Sequence, residues 1–247
     1  MNFFNKSRSG PGSEPHRHGA PHSVHAAPPA RAATMSSSSA VSTSGPKPGR
    51  LSNGLKEFLF QLDGIGRGHL LDMGPARQTT LNFFIERGFK VYTDDLLMTW
   101  KIFLDADEQR KKELAPDADR SLMTPAARAE RFLETTLQYP EGTFDAVLLW
   151  DILDYLDTEL MTRLAARLTS LVREGGVVFA IFHARKPEMF HRYRVMDAQN
   201  LELIPATSPF APQRVFQNRE ISDLFRRYRS SKTFVGRDQL REGLFVK

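Results

Sequence analysis

Three short segments place an acidic residue or a glycine directly after a run of apolar residues. They read HLLDMG at 69–74, VYTDD at 91–95 and VLLWD at 147–151. A carboxylate can bind the hydroxyl groups of a ribose, and a glycine lets the backbone approach a ligand closely. The carboxylate of Asp72, at an apolar strand end, needs hydrogen-bond partners or a cationic ligand. These segments predict a ligand site if the fold brings their ends together.

Two further residues are candidates for acid–base chemistry. Tyr155 and His183 could accept a proton or orient a substrate, although both residue types often serve only a structural role. Trp150 could line a substrate site or pack in the core. The chain has no cysteine, which excludes disulfides, thiolate metal sites and cysteine nucleophiles. No metal site is predicted, because the four histidines before residue 26 lie in a low-complexity segment.

Composition separates an N-terminal tail from a folded part. Residues 1–50 are rich in proline, histidine and serine and carry six basic residues against one acid, so we predict a disordered tail. Residues 51–247 carry 28 basic and 28 acidic residues, so nucleic-acid binding by the folded part is not indicated. No apolar run reaches the length of about 18 residues that a membrane span needs, and no secretory signal is evident. We expect a cytoplasmic protein with no membrane partner.

The apolar spacing predicts the elements that must position the candidate residues. Strands that are apolar on both faces alternate with amphipathic helices, which indicates a mostly parallel sheet covered on both sides. In such a doubly wound sheet, ligands bind beyond the carboxyl ends of the strands. The predicted strands are His69–Met73, Phe89–Thr93, Phe144–Trp150 and Val177–Phe182, and the predicted helices lie around 55–62, 81–85 and 158–173, the last closed by Gly175-Gly176.

The remaining segments are less regular. Residues 96–138 are mainly helical, with a break at Pro116–Asp119, a helix start at Thr124-Pro125 and a short strand within Phe132–Leu137. The predicted hairpin of Tyr193–Asp197 and Asn200–Ile204, with the loop Pro205–Pro212, forms an insertion at 191–213 in the domain 51–247 and is our candidate for a substrate-covering element. Last come a helix at Arg219–Tyr228 and an antiparallel pair of Lys232–Val235 with Gly243–Val246.

This layout resembles the class I S-adenosylmethionine-dependent methyltransferases. The matching stretches are LLDMG, VYTDDL, FDAVLLWDILDYLD and LVREGGVVFAIFHA, within about residues 55–247. The resemblance implies an α/β fold, with a doubly wound, mostly parallel sheet and an antiparallel C-terminal strand, and S-adenosylmethionine as the cofactor. It also implies that Asp72 and Gly74 lie near the methionine part of the cofactor, that Asp94 or Asp95 holds the ribose, and that Trp150 and Asp151 lie near the transferred methyl group.

One loop departs from the family pattern. Ala76 and Gln78 stand where the family has its second and third glycines, beside the bulky Arg77. The leading hypothesis is a methyltransferase that acts on a small molecule. One alternative is a non-catalytic protein that keeps the fold as a binding or interaction module, and another is an NAD-dependent oxidoreductase, whose glycine pattern is absent. The sequence indicates neither the methyl acceptor nor the oligomeric state.

Overall fold

The computed structural model describes residues 49–113, 115 and 121–247. The predicted break at Pro116–Asp119 lies outside these ranges, and so does the predicted tail up to residue 48. The strands are β1 (Arg50–Leu51), β2 (Gly68–Asp72), β3 (Phe89–Thr93), β4 (Phe144–Trp150), β5 (Val172–His183), β6 (Phe190–Val195), β7 (Asn200–Ala206), β8 (Ser230–Val235) and β9 (Leu240–Val246). The helices are α1 (Asn53–Gln61), α2 (Gln78–Ile85), α3 (Leu96–Glu113), α4 (Pro125–Thr135), α5 (Thr158–Leu171) and α6 (Asn218–Leu224), with short 3-10 helices at Ser121–Met123 and Ile152–Tyr155.

The main sheet has six strands in the order β3-β2-β4-β5-β9-β8. Strands β3, β2, β4 and β5 are parallel, while β9 runs antiparallel to β5 and pairs with β8. The predicted α/β fold with a mostly parallel sheet and an antiparallel C-terminal strand is therefore confirmed. The chain leaves β2 toward β3 on one side and returns to β4 on the other, so the switch point of the sheet lies between β2 and β4.

Apolar side chains fill both faces of this sheet. All seven residues of β4 are buried, as expected for a central strand covered on both sides. On one face the sheet packs against α3, α4, α5 and α6, and on the other against α1 and α2. Helix α5 has the apolar spacing that predicts an amphipathic helix: Leu160, Leu164 and Leu168 are buried on one face. At the start of this helix, the Asp157 side chain accepts a hydrogen bond from the Leu160 amide.

A second, three-stranded antiparallel sheet has the order β1-β7-β6. The β6–β7 hairpin is held against α2, where the Val195 amide donates to Thr80 Oγ1 at 3.0 Å, and Val195 and Leu201 are buried. Arg50, which the sequence assigned to the tail, belongs to β1. Its guanidinium forms ion pairs with Asp238 and Glu242, which fix this end of the folded part.

Several predicted elements are wrong in extent or type. The strand predicted at Tyr193–Asp197 is β6, three residues earlier in the chain at its start, and the predicted loop Pro205–Pro212 begins within β7. The strand predicted within Phe132–Leu137 is the end of α4, because Phe132 lies on the buried stripe of that helix and contacts Trp100. Gly175-Gly176 do not close a helix: α5 ends at Leu171 and both glycines lie in β5, where its pairing with β4 shifts register. The helix predicted at Arg219–Tyr228 is α6, which ends at Leu224 because the backbone leaves helical geometry at Phe225. The Phe225 ring stacks on Phe245 of β9. None of the helices within the described ranges is long and apolar enough to cross a membrane.

Candidate functional site

The ends of β2, β3 and β4 meet at the switch point. The Met73 amide donates to the carbonyl of Leu148 in β4 at 3.0 Å, and the Asp94 amide donates to the carbonyl of Asp72 in β2 at 2.9 Å. We call the space outside these strand ends, which is bounded by Gly74, Asp95 and Trp150, the crevice. The fold therefore brings the three segments singled out in the sequence to one edge of the sheet.

The Asp72 carboxylate is buried at the floor of the crevice. Only 2% of this residue is exposed, and its Oδ1 accepts hydrogen bonds from Trp150 Nε1 at 2.7 Å and from the Gly74 amide at 3.0 Å. Burial raises its pKa to about 6, although the two hydrogen bonds favour the charged form. The carboxylate thus has two neutral donors and no cationic partner among the described residues.

Trp150 forms the wall of the crevice above Gly74. Its backbone is left-handed, with φ +54°, which turns the chain sharply at the end of β4. The indole ring is so close to Gly74 that a Cβ on this glycine would lie 3.0 Å from Trp150 Cδ1 and Nε1. The ring of Tyr193 stacks on the indole, with centroids 5.5 Å apart and planes 4° from parallel. The glycine therefore admits the indole closely, and β6 covers the indole.

The two carboxylates after β3 are already bound within the chain. Asp94 Oδ1 accepts from the Thr99 hydroxyl at 3.2 Å, and burial raises the pKa of this carboxyl. Asp95 forms an ion pair with Arg192 of β6, with Nη1 and Oδ1 3.1 Å apart. The side chains of Arg192 and Asp95 are 12% and 25% exposed, so this ion pair is partly shielded from water.

The crevice is closed in this conformation. The cavity between Gly74, Trp150 and Tyr193 measures about 10 Å³, no more than the space for one water molecule. The donor and acceptor groups suit S-adenosylmethionine, but the space does not admit it. The altered loop does not line this cavity, since Ala76, the half-buried Arg77 and Gln78 are all absent from its walls. The Gln78 side-chain amide donates to Asn82 Oδ1 at 2.6 Å. The groups that fill the crevice come from β6 and from Trp150.

A second group of titratable side chains lies next to Trp150. Asp154 Oδ2 accepts hydrogen bonds from the amide of His183 at 2.8 Å and from its ring Nδ1 at 2.7 Å. Asp151 Oδ2 accepts from the Tyr193 hydroxyl at 3.1 Å and lies 3.8 Å from His183 Nε2. Burial raises the pKa of Asp151 to about 7. Burial alone would lower the pKa of His183, but the hydrogen bond to Asp154 and the nearby carboxylates outweigh it, so this pKa is raised.

The two predicted acid–base candidates thus differ. His183 is oriented by a carboxylate and lines a cavity of about 380 Å³. Tyr155 is enclosed, packs edge-on against His183 and Phe190, and its hydroxyl has no hydrogen-bond partner among the described residues. Burial raises the pKa of Tyr155 far above its ordinary value. Tyr155 therefore has the environment of a packing residue, while His183 has the geometry of a base.

Sequence reasoning did not single out Arg192, Tyr193, Asp154 or His191. All except Asp154 lie on β6, an element that no motif connects to the crevice. Asp154 follows β4 within the stretch WDILDY, three residues after Asp151. Asp151 is the N-cap of the 3-10 helix Ile152–Tyr155 and Asp154 lies one turn later, so this spacing was the available signal.

Comparison with known proteins yields matches among solved structures. No protein-family model and no curated protein matches the chain. The Burkholderia thailandensis 1,6-didemethyltoxoflavin-N1-methyltransferase, with 1,6-didemethyltoxoflavin and S-adenosylhomocysteine bound, is 17% identical over 79% of this chain and 78% of its own, with a TM-score of 0.40. A SAM-dependent methyltransferase from Archaeoglobus fulgidus is 12% identical over 78% of this chain and 91% of its own, with a TM-score of 0.44.

The chain is a doubly wound α/β protein similar in fold to these methyltransferases. The fold assignment itself follows from the strand order and from the antiparallel pair that closes the sheet. The 1,6-didemethyltoxoflavin and the S-adenosylhomocysteine are ligands of the Burkholderia thailandensis protein.

Proposed function

We propose that the chain is an S-adenosylmethionine-dependent methyltransferase that acts on a small molecule. The observation that carries this proposal is the meeting of Asp72, Asp95 and Trp150 at the switch point of a doubly wound sheet. A sulfonium cofactor with an ammonium group supplies the positive charge that a buried carboxylate such as Asp72 otherwise lacks. Asp72 and Gly74 would hold the methionine part and Asp95, or Asp94, the ribose. The cytoplasmic location expected from the sequence stays a prediction.

The proposal includes an open state of the crevice. For the cofactor to enter, Arg192 must release Asp95 and Tyr193 must leave the face of Trp150. Both groups belong to β6, so one displacement of the β6–β7 hairpin frees the ribose carboxylate and the indole wall together. In this proposal the hairpin, part of the insertion that the sequence suggested as a substrate-covering element, also covers the cofactor crevice in its closed position.

Calorimetric titration of the full chain with S-adenosylhomocysteine tests this proposal. We expect saturable heat and a rise in melting temperature, and we expect no binding of NADH by nicotinamide fluorescence. An Asp95→Ala variant loses a charged acceptor for the ribose hydroxyls and also the ion pair with Arg192, so it should bind about tenfold more weakly than a variant that loses the ion pair alone. Because Asp95→Ala also frees Arg192, the matched comparison is Arg192→Ala, which removes the same ion pair and keeps the carboxylate. Equal affinity in the two variants would remove Asp95 from the ribose site.

A non-catalytic protein that keeps this fold is the second candidate. The observation that favours it is the filling of the crevice by the chain's own side chains, Trp150, Arg192 and Tyr193. The same titration separates the two functions. Absence of binding of both S-adenosylmethionine and its demethylated product, in the wild type and in Arg192→Ala at millimolar ligand, would exclude the enzyme and leave the binding module.

A further inference from the structure

A second cavity lies beside the crevice. It measures about 380 Å³, which is within the range of sites for small organic ligands. His191 and Tyr193 line both this cavity and the small cavity of the crevice, so β6 separates the two in the closed position, and the hairpin displacement proposed above would join them. We call it the His183 pocket, after the buried histidine at the end of β5 that lines it.

His183 lines this pocket and keeps one ring nitrogen without a hydrogen bond to the described residues. Asp154 accepts from Nδ1, which fixes the ring orientation and leaves Nε2 as the nitrogen available to a ligand. Nε2 has no hydrogen-bond partner among the described residues, and the nearest carboxylate oxygen, on Asp151, is 3.8 Å away. Asp154 is therefore a positioning residue for a base, in the arrangement that a general base requires.

The mouth of the pocket is basic. Arg185 and Lys186 are exposed there, and neither forms an ion pair within the described part of the chain. The lining also has two acidic residues, Glu188, which is exposed and unpaired there, and Asp238, which is bound by Arg50 of β1. Two unpaired cations against one unpaired anion favour a ligand with a negative group at the mouth.

The walls of the pocket are apolar. Met189, Leu203, Leu240 and the ring of Tyr193 line it, and 53% of Met189 is exposed. A thioether and an aromatic ring are favourable contacts for a flat aromatic body.

We propose that the His183 pocket binds the methyl acceptor, a small hydroxylated aromatic compound with an anionic group, and that His183 takes the proton of its hydroxyl. The O–H bond breaks, its electron pair stays on the oxygen, and the proton bonds to Nε2. The anionic group meets Arg185 and Lys186. This inference rests on the proposed function, because the ligand is a methyl acceptor only if the protein transfers methyl groups. Binding of the ligand and transfer of its proton need no cofactor.

The surroundings of His183 support the proton transfer. The carboxylates of Asp151 and Asp154 favour the protonated imidazole, and the pKa of His183 is raised. The other histidine of the pocket, His191, has a lowered pKa because it is partly buried and near His183. The charged and titratable groups around His183 are Asp151, Asp154, Tyr155, His191, Asp238 and Arg241, whose guanidinium donates to the His183 carbonyl at 3.1 Å.

The experiment uses 4-hydroxy-3-nitrobenzoate, a carboxylated phenol whose visible absorbance rises when its hydroxyl loses the proton. The full chain is titrated with this probe without cofactor, and the absorbance of the complex is followed against pH. We expect saturable binding and a hydroxyl pKa that is lower in the complex than in free solution. His183→Asn should abolish this shift, whereas His191→Asn, a histidine variant in the same pocket, should retain it.

The mouth is tested separately, since loss of His183 could also disturb folding. Lys186→Gln on the exposed loop should weaken binding of the probe about fivefold, the scale of one partly screened charge pair, and should leave the shift at saturation unchanged. Lys112→Gln is the matched control and should change nothing, because this lysine of α3 is exposed and forms no ion pair with the residues that the structure describes. 2-Nitrophenol, which lacks the carboxylate, should bind more weakly than the probe, and Lys186→Gln should not change its affinity.

Several results would overturn the inference. They are an absence of probe binding, a shift that survives in His183→Asn or disappears only in His191→Asn, and equal binding of 2-nitrophenol and the carboxylated probe. Probe binding with the expected shift, in a chain that fails to bind S-adenosylhomocysteine, would uphold the pocket and refute the methyltransferase. Binding of S-adenosylhomocysteine without binding of the probe would uphold the methyltransferase and refute the pocket.

Discussion

The ion pair between Arg192 and Asp95 should set how tightly the cofactor binds, because binding must break it. We consider Arg192→Ala. The pair joins Nη1 and Oδ1 at 3.1 Å with side chains 12% and 25% exposed, which lies between an exposed pair, at about 0.5–1 kcal/mol, and a shielded charged hydrogen bond, at about 1.5–3 kcal/mol. A value of about 1.4 kcal/mol corresponds to a tenfold change in affinity.

Other contacts of Arg192 do not add to this value. Its guanidinium also lies 4.9 Å from the ring centroid of Phe190, but both residues belong to β6 and move with the hairpin. The hydrogen bond from Tyr193 to Asp151 remains in the variant, so the crevice is eased rather than fully opened. We therefore expect S-adenosylhomocysteine to bind Arg192→Ala about tenfold more tightly than the wild type, by calorimetry at low salt.

Arg194→Ala is the matched control. Arg194 lies two residues along the same strand and is paired with Glu202 of β7, so its ion pair moves with the hairpin and does not oppose opening. Its affinity for the ligand should stay within about twofold of the wild type. High salt should tighten binding by the wild type and leave Arg192→Ala unaffected. Unchanged or weaker binding in Arg192→Ala would refute the view that this ion pair closes the crevice.

Three further predictions concern stability and are read by urea unfolding. Because the pKa of Asp72 is raised to about 6, its contribution to stability is present below pH 4 and is lost as the pH rises through 6. The free energy of unfolding of Asp72→Asn should therefore rise by about 1.3 kcal/mol relative to that of the wild type between pH 5 and pH 7. The same pH dependence in both proteins would contradict this. Gly74→Ala brings a methyl group to 3.0 Å from the indole ring above it and should cost about 1–3 kcal/mol, whereas Gly66→Ala, in open space, should be tolerated. Asp107→Ala removes a buried carboxylate that binds two arginines of α4 and should cost about 3 kcal/mol, unlike the exposed control Asp105→Ala.

Most of the main sheet could be predicted from the sequence because each strand is either fully apolar or bounded by clear stops. Phe89–Thr93 and Phe144–Trp150 are strands with the predicted bounds. The strand predicted within Phe132–Leu137 failed because a short apolar run fits a helix and a strand equally well, and only contact with Trp100 decides between them. Strand β1 could not be predicted, since two residues carry no periodicity and their pairing partner lies about 150 residues away.

The position of the candidate site could be predicted from the sequence, but the closure of its crevice could not. The motifs after β2, β3 and β4 place Asp72, Asp95 and Trp150 at one edge by topology alone. That Arg192 and Tyr193 occupy this edge depends on how the hairpin folds back over the sheet, a long-range contact that no local pattern encodes. The missing glycines at Ala76 and Gln78 suggested an obstructed loop, yet both side chains are exposed, and the obstruction comes from β6.

The stacking of Tyr193 on Trp150 also gives the protein a spectroscopic reporter of its own. The chain has two tryptophans, and the other, Trp100, lies in α3 between Phe103 and Phe132. In a Trp100→Phe background the emission would come from Trp150 alone, whose indole is 4% exposed and bound to the Asp72 carboxylate. Withdrawal of the hairpin would bring this indole into water and shift its emission to longer wavelength, so the opening of the crevice can be followed in real time without a label.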